Sequence, residues 1–221
     1  MTVKIMKYKA IIFDTDGVLV DNYQAWLAFD RQFLAQYNVV PDDAYIAYCN
    51  GRSEEEVVRW VKEKFKISDS IEKITESRQD YIKDIYQKYS QQQKNAEELL
   101  KKIKASDFKI ALASGAKLWM IETILKRFNW GQYFEQVVSS DHVNYCGKPN
   151  PEIYLHTARL LGVKPEECIV FEDSENGVVS AKNAGMTCIG YKNIYINDNL
   201  SRADFIVDDL MDKKVLEFLN I

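Results

Sequence analysis

The sequence predicts an α/β protein: a doubly wound, Rossmann-like parallel-sheet core carrying an inserted all-helical cap. Three observations carry that expectation. Short apolar runs rich in β-branched residues recur at 10–12, 109–113, 136–139, 168–171, 187–190 and 205–207. Apolar spacings of three and four fall between the later runs, over 95–104, 117–129, 151–161 and 175–184. Strand–helix alternation of this kind favours a parallel sheet covered on both faces. The third observation is an interruption. From about residue 22 to 90 no strand pattern appears, and helical segments fall near 22–37, 42–49, 53–65 and 70–89. The chain therefore divides into a core, 1–20 with 92–221, and a cap, 21–91. Val20 to Asn22 forms the outgoing hinge, and the polar run Ser90-Gln91-Gln92-Gln93-Lys94 the return.

Each element has a local reason. The first strand runs into Phe13-Asp14-Thr15-Asp16-Gly17, three of whose five residues favour a turn. The helix over 175–184 stops at Gly185, a residue suited to the left-handed conformation that ends helices. With 221 residues and 47% hydrophobic content the chain can bury a sizeable core. Its formal charge of -4 argues against a nucleic-acid binder held by a basic face. No apolar run approaches the roughly 18 residues that read as a membrane span. The first ten residues hold three lysines and no signal-peptide pattern, so a cytoplasmic location is expected. Cys49, Cys146, Cys168 and Cys188 stand far apart and are expected as reduced, buried or half-buried thiols. Trp60, Trp119 and Trp130 sit at helical spacings among apolar residues and are expected in the core. His142 and His156 lack metal-ligand partners in the sequence.

The polar residues at the strand ends carry the chemistry. In an open α/β sheet, ligands bind beyond the carboxyl ends of the strands. The first strand ends in Asp14 and Asp16, and the second in Ser114-Gly115. Gly147-Lys148-Pro149 follows the third, and Glu172-Asp173-Ser174 the fourth. In a parallel sheet these converge on one rim. Asp14 and Asp16 repel unless a cation or a reacting group offsets them; a plain surface turn is the bland alternative. Acids, a lysine and a hydroxyl together suit phosphoryl transfer through a carboxylate nucleophile. A phosphate ester and a carboxylate repel, so attack requires a bridging cation. Oxygen ligands from Asp14, Asp173 and the backbone carbonyl of Asp16 suit Mg²⁺. Lys148 and Ser114 face the phosphoryl oxygens, and Asp16 is placed to exchange a proton with the leaving alcohol.

Four motifs occur in order: Phe-Asp-Thr-Asp-Gly-Val-Leu-Val-Asp, Ala-Leu-Ala-Ser-Gly-Ala, Gly-Lys-Pro-Asn-Pro-Glu-Ile-Tyr and Phe-Glu-Asp-Ser-Glu-Asn-Gly-Val. With the helical insertion where it stands, the chain over about 8–210 resembles the haloacid dehalogenase-like superfamily. Its closest likeness is to the branch of β-phosphoglucomutases and sugar-phosphate phosphatases. The resemblance implies that Asp14 is the nucleophile and Asp16 the acid/base. It implies that Ser114 and Lys148 bind the phosphoryl group and that Asp173 and Glu172 serve the metal, with Asp14 and Asp16. An acid at position 16 separates the chain from dehalogenases and phosphonatases of that superfamily, which lack one there.

The same resemblance favours hydrolysis over mutase chemistry. Where the mutases carry a histidine in the first cap helix, this chain has Trp26. Their cap-loop arginine corresponds to Glu54, with Arg52 close by. Their serine, lysine and asparagine after the phosphate-binding serine correspond to Ala116, Lys117 and Leu118. The expected enzyme is a phosphatase for a small phosphorylated metabolite, a sugar or polyol phosphate. Gly115, Lys117 and Arg52 are the substrate-binding candidates, Lys117 and Arg52 each with a reading as an ordinary helix-start residue. Trp26 is assigned to packing, with a pocket wall as the alternative. No nucleic-acid or membrane partner is expected, and the chain is read as a monomer or weak dimer. A phosphomutase and a non-enzymatic phosphoacceptor module are the rival readings.

Overall fold

The computed structural model describes residues 7–49, 52–144, 146–195 and 198–221; Asn50 and Gly51 of the cap loop lie outside them. The first strand, β1 (Ala10–Phe13), is followed by β2 (Val20–Asp21) and four cap helices. These are α1 (Tyr23–Ala35), α2 (Asp43–Cys49), α3 (Glu54–Lys64) and α4 (Ile71–Asp84). The chain returns through β3 (Gln91–Gln92) and α5 (Ala96–Lys104). It then alternates β4 (Lys109–Ala113), α6 (Leu118–Phe128), β5 (Gln136–Val138), α7 (Glu152–Leu161), β6 (Cys168–Glu172), α8 (Glu175–Asn183) and β7 (Thr187–Tyr191). It closes with β8 (Phe205–Val207) and α9 (Lys213–Leu219).

Six strands form one parallel sheet in the order β5-β4-β1-β6-β7-β8. The order reverses at β1, which pairs with β4 on one side and β6 on the other. Such a switch point opens a crevice at the carboxyl ends of the strands. Alternation along β1 splits the core. Ile11 and Phe13 join the apolar cluster on one face, and Ala10 and Ile12 the cluster on the other. The rings of Phe13 and Phe171 stack with centroids 4.8 Å apart, locking β1 to β6 just beneath the rim. The first cluster continues through Val18, Leu19 and Val20 into Phe29, Phe33, Val57 and Ile74 of the cap. Burying each such side chain contributes about 1.5–3 kcal/mol, so one apolar body ties cap to sheet.

Helix starts follow their capping residues. Ser53 and Glu56 form a reciprocal capping box at α3, and Ser70 caps α4. Each such cap contributes about 1 kcal/mol.

Three expectations need correction, and the return hinge gains a pairing that the sequence did not specify. The segment read as one helix to residue 89 is α4 followed by a single π turn, Ile85–Tyr89. The return hinge is ordered, because Gln91 and Gln92 pair antiparallel with Asp21 and Val20. Trp119 is 37% exposed; its neighbours Met120 and Ile121 fill the core side of α6, and its ring lies edge-on to Tyr86 across the core–cap seam. Cys146 is exposed in the loop before Lys148, although all four cysteines are free and Cys168 and Cys188 are buried.

Candidate active site

The register of the sheet sets the floor of the site. Phe13 pairs with Leu112 and Phe171, so Asp14 follows at the level of Ala113 and Glu172. The Asp14 amide donates to the carbonyl of Phe171 at 3.0 Å, extending the ladder by one residue and fixing the aspartate backbone. Lys148, 1% exposed, arrives from the loop before α7, where the Lys148–Pro149 peptide is cis. Its Nζ donates to Asp14 Oδ1 at 2.6 Å, to Glu172 Oε1 at 2.5 Å and to the Ala113 carbonyl at 3.4 Å.

Glu172 is wholly enclosed. Besides Lys148, it accepts from the Tyr154 hydroxyl and, at 3.3 Å, from the Ser174 hydroxyl. Ser174 in turn caps α8 by accepting from the Gly177 amide. A side chain at Gly177 would place its Cβ 2.0 Å from the Glu172 carboxyl carbon, so this helix start must be bare for the glutamate to fit.

Asp173 faces Asp14, held by the Asn193 amide at 3.2 Å. Carboxylate oxygens of Asp14, Glu172 and Asp173 lie within 4.8 Å of one another. Gly17 has φ +85°, and a Cβ there would lie 1.8 Å from an Asp173 oxygen; glycine permits both the turn and the close approach.

Burial raises Asp14 to about 7, Lys148 opposing and Glu172 adding to the rise. Asp173 is pushed well above the usual carboxylate range by burial and then by the charges of Glu172 and Asp14. Burial alone would lower Lys148, but Asp14 and Glu172 outweigh it and hold the ammonium charged. Three acids against one lysine is a deficit of positive charge, and the donor set is all oxygen. That is the chemistry of a Mg²⁺ site, and the residues fit the ion. Asp14 and Asp173 face the chamber, while Glu172 lies beneath it with its oxygens engaged by Lys148, Tyr154 and Ser174.

Asp16 stands apart from that cluster. Asn22 donates to its Oδ1 and the Tyr86 hydroxyl to its Oδ2, both at 2.6 Å. Burial raises its pKa, and those two hydrogen bonds moderate the rise. Tyr86 rides on the π turn of the cap, so the cap itself orients this carboxyl.

Asp14, Asp16, Asp173, Ser114 and Gly115 line one cavity of about 180 Å³, roofed by cap residues. Arg52 also lines it, its guanidinium over the Tyr48 ring and 3.8 Å from Glu56. Trp26 lines it while packing edge-on against Phe29 and Tyr86, so the wall and packing readings both hold. Lys117 is the exception among the substrate-binding candidates. It lies outside this cavity, and its Nζ pairs with Glu55 of α3 at 2.7 Å, joining core to cap.

Several lining residues escaped the sequence reading: Tyr86, Asn22, Asn193 and a cap group of Asp30, Tyr45, Glu54 and Arg78. Arg78 is 2% exposed, and one signal was available for it. An arginine whose helical neighbours Ile74 and Ile82 point inward must itself be buried and paired.

Comparison with known proteins agrees with this geometry. The profile of the haloacid dehalogenase-like hydrolases matches residues 11–191. A phosphorylated carbohydrates phosphatase of Thermotoga maritima is 32% identical over 80% of this chain and 82% of its own. Hexitol phosphatase B of Escherichia coli is 30% identical over 81% and 82%. A β-phosphoglucomutase structure from Clostridium difficile superposes with a TM-score of 0.80 at 26% identity, covering 96% of each chain. No helix among the described residues is long and apolar enough to cross a membrane. With Asp14, Lys148 and Asp173 gathered at the strand ends under a helical cap, the chain belongs to the haloacid dehalogenase-like hydrolases, as a phosphoric monoester hydrolase.

Proposed function

We propose that the protein is a Mg²⁺-dependent phosphatase acting on a small sugar or polyol phosphate through an aspartyl-phosphate at Asp14. The observation that carries this reading is the pairing of Asp14 with Asp16. Two residues apart, they face one cavity from different hydrogen-bond environments. Asp14 is aligned by Lys148 for attack, and Asp16 is held by Tyr86 and Asn22 for proton exchange. A carboxylate oxygen of Asp14 attacks phosphorus, the ester P–O bond breaks, and Asp16 gives its proton to the departing alkoxide. Water then attacks the phosphorus, Asp16 takes the water proton, and the Asp14–phosphorus bond breaks to release phosphate.

Asp14, Asp173 and the backbone carbonyl of Asp16 would hold Mg²⁺, which offsets the repulsion between the Asp14 carboxylate and the phosphate. Ser114 and Lys148 complete the contacts to the phosphoryl oxygens, and Gly115 and Arg52 face the substrate. Glu172 fixes Lys148 from below. The names of the Thermotoga and Escherichia relatives support a carbohydrate or hexitol leaving group.

The test is phosphate release from a panel of sugar, polyol and short-acid phosphates with Mg²⁺. Release should vanish with a chelator and fall by at least about 10⁴-fold in Asp14→Asn, the scale of losing a catalytic nucleophile. An isomerised sugar phosphate formed without net phosphate release would instead establish the phosphomutase reading.

A further inference from the structure

The cap end of the cavity carries a second polar constellation. The guanidinium of Arg78 from α4 lies over the adjoining rings of Phe29 and Phe33, 4.7 and 4.9 Å from their centroids. Its Nε and Nη2 donate to the two oxygens of Glu54 at 2.6 and 3.3 Å. Its Nη1 donates to Asp30 Oδ1 at 3.4 Å. The hydroxyl of Tyr45, on a side chain 1% exposed, lines the same wall and has no hydrogen-bond partner of good geometry among the described residues. Two carboxylates face one guanidinium, so this wall has no spare positive charge. The other cation lining the cavity, Arg52, has its charge countered by Glu56 at 3.8 Å, although its Nε has no hydrogen-bond partner among the described residues.

A buried hydroxyl that adjoins Asp30 without a well-aligned bond, beside carboxylates with lone pairs to spare, is a cradle for groups that both donate and accept. A second phosphate or a carboxylate offers only acceptors and negative charge, and it would meet the largely buried carboxylates of Asp30 and Glu54. We propose that this wall sets the leaving group. It takes the monophosphate ester of a neutral, polyhydroxylated alcohol, whose hydroxyls donate to Asp30 and Glu54 and pair with Tyr45. It rejects esters bearing a second anionic group. This rests on the phosphatase reading and narrows it, making Asp30, Glu54 and Tyr45 specificity-determining residues.

The experiment compares kcat/KM of the full chain with Mg²⁺ on sorbitol 6-phosphate, phosphoglycolate, glucose 1,6-bisphosphate and phosphoethanolamine. The hexitol ester should lead each of the others by at least about 100-fold, within the range that buried polar recognition achieves. Glu54→Gln and Asp30→Asn, checked for a native melting transition, should narrow the lead over the two anionic esters by about tenfold, the worth of roughly 1.4 kcal/mol.

Anionic esters or phosphoethanolamine turned over as well as the hexitol ester would overturn the proposal. So would folded variants whose ratios do not move. If the variants do not fold, the ranking by the unaltered enzyme decides. Calorimetric binding of the same four esters to Asp14→Asn separates the two levels. Preferred binding of sorbitol 6-phosphate without any release by the unaltered protein would overturn the phosphatase chemistry alone. Equal binding of all four would overturn the selectivity.

Discussion

Both ends of the cavity are built on a buried cation held between two carboxylates, and they differ in what holds the cation. At the floor, Lys148 sits between Asp14 and Glu172, residues of strand ends whose backbone positions the sheet dictates. At the roof, Arg78 sits between Asp30 and Glu54, each from a different cap helix and bound by side-chain packing alone. A strand end cannot shift without breaking its ladder, whereas helices in a small bundle can slide and re-pair. Chemistry that needs fixed distances therefore belongs at the floor, and recognition that differs from one substrate to another belongs at the roof.

The sharpest way to break this comparison is to neutralise each cation in turn. Lys148→Met leaves Asp14 and Glu172 buried without their shared cation, a loss of about 3–5 kcal/mol. On the proposed mechanism it should also abolish phosphate release, because Lys148 is the only side chain among the described residues that donates to Asp14. Arg78→Met strands two carboxylates in the same way and should cost a similar amount of stability, read as a comparable fall in melting temperature. Its phosphate release should nevertheless persist at a reduced rate. Equal abolition of release by both substitutions would erase the distinction between floor and roof.

A second prediction concerns the seam between them. Tyr86→Phe removes the cap's hydrogen bond to Asp16 and keeps the ring. A hydrogen bond to a charged group contributes about 1.5–3 kcal/mol, so kcat should fall roughly 10- to 100-fold and the melting temperature by several degrees. An unaltered kcat would mean that Asn22 alone orients Asp16.

The smallest effect is expected at Lys117. Its pair with Glu55 spans the seam with each side chain roughly a quarter exposed, so Lys117→Ala should cost at most about 1 kcal/mol. KM should rise severalfold if that pair helps hold the cap closed, and kcat/KM measured in rising salt reads the same contribution.

The floor was legible in the sequence because short range decides it. Asp14, Asp16, Ser114 and Asp173 each lie within three residues of a strand end, and strand ends are visible as the close of an apolar run. The roof was not. Asp30, Glu54 and Arg78 come from three helices, and nothing local says which charged residue on an amphipathic helix turns inward. Lys117 shows the converse error: a lysine just past a phosphate-binding serine looks like a substrate contact, yet three residues of chain swing it out to Glu55. Trp119 was misread because helical spacing gives a periodicity and leaves its phase undetermined. The π turn at Ile85–Tyr89 has no signal in apolar spacing, and it is what brings Tyr86 to Asp16.

The placement of β1 also bears on how the molecule is made. The strand that carries Asp14 is made well before its two neighbours in the sheet, which begin at Lys109 and Cys168. At ordinary synthesis rates the second neighbour follows on the order of ten seconds or more later. Until then, an apolar edge of Ala10, Ile11, Ile12 and Phe13 is unpaired on at least one side, an invitation to strand addition by another chain. Of the elements made before Cys168, β4 pairs with one side of β1 and α7 packs against it, so the edge that waits longest is the one β6 will close, the side on which Phe171 comes to stack on Phe13.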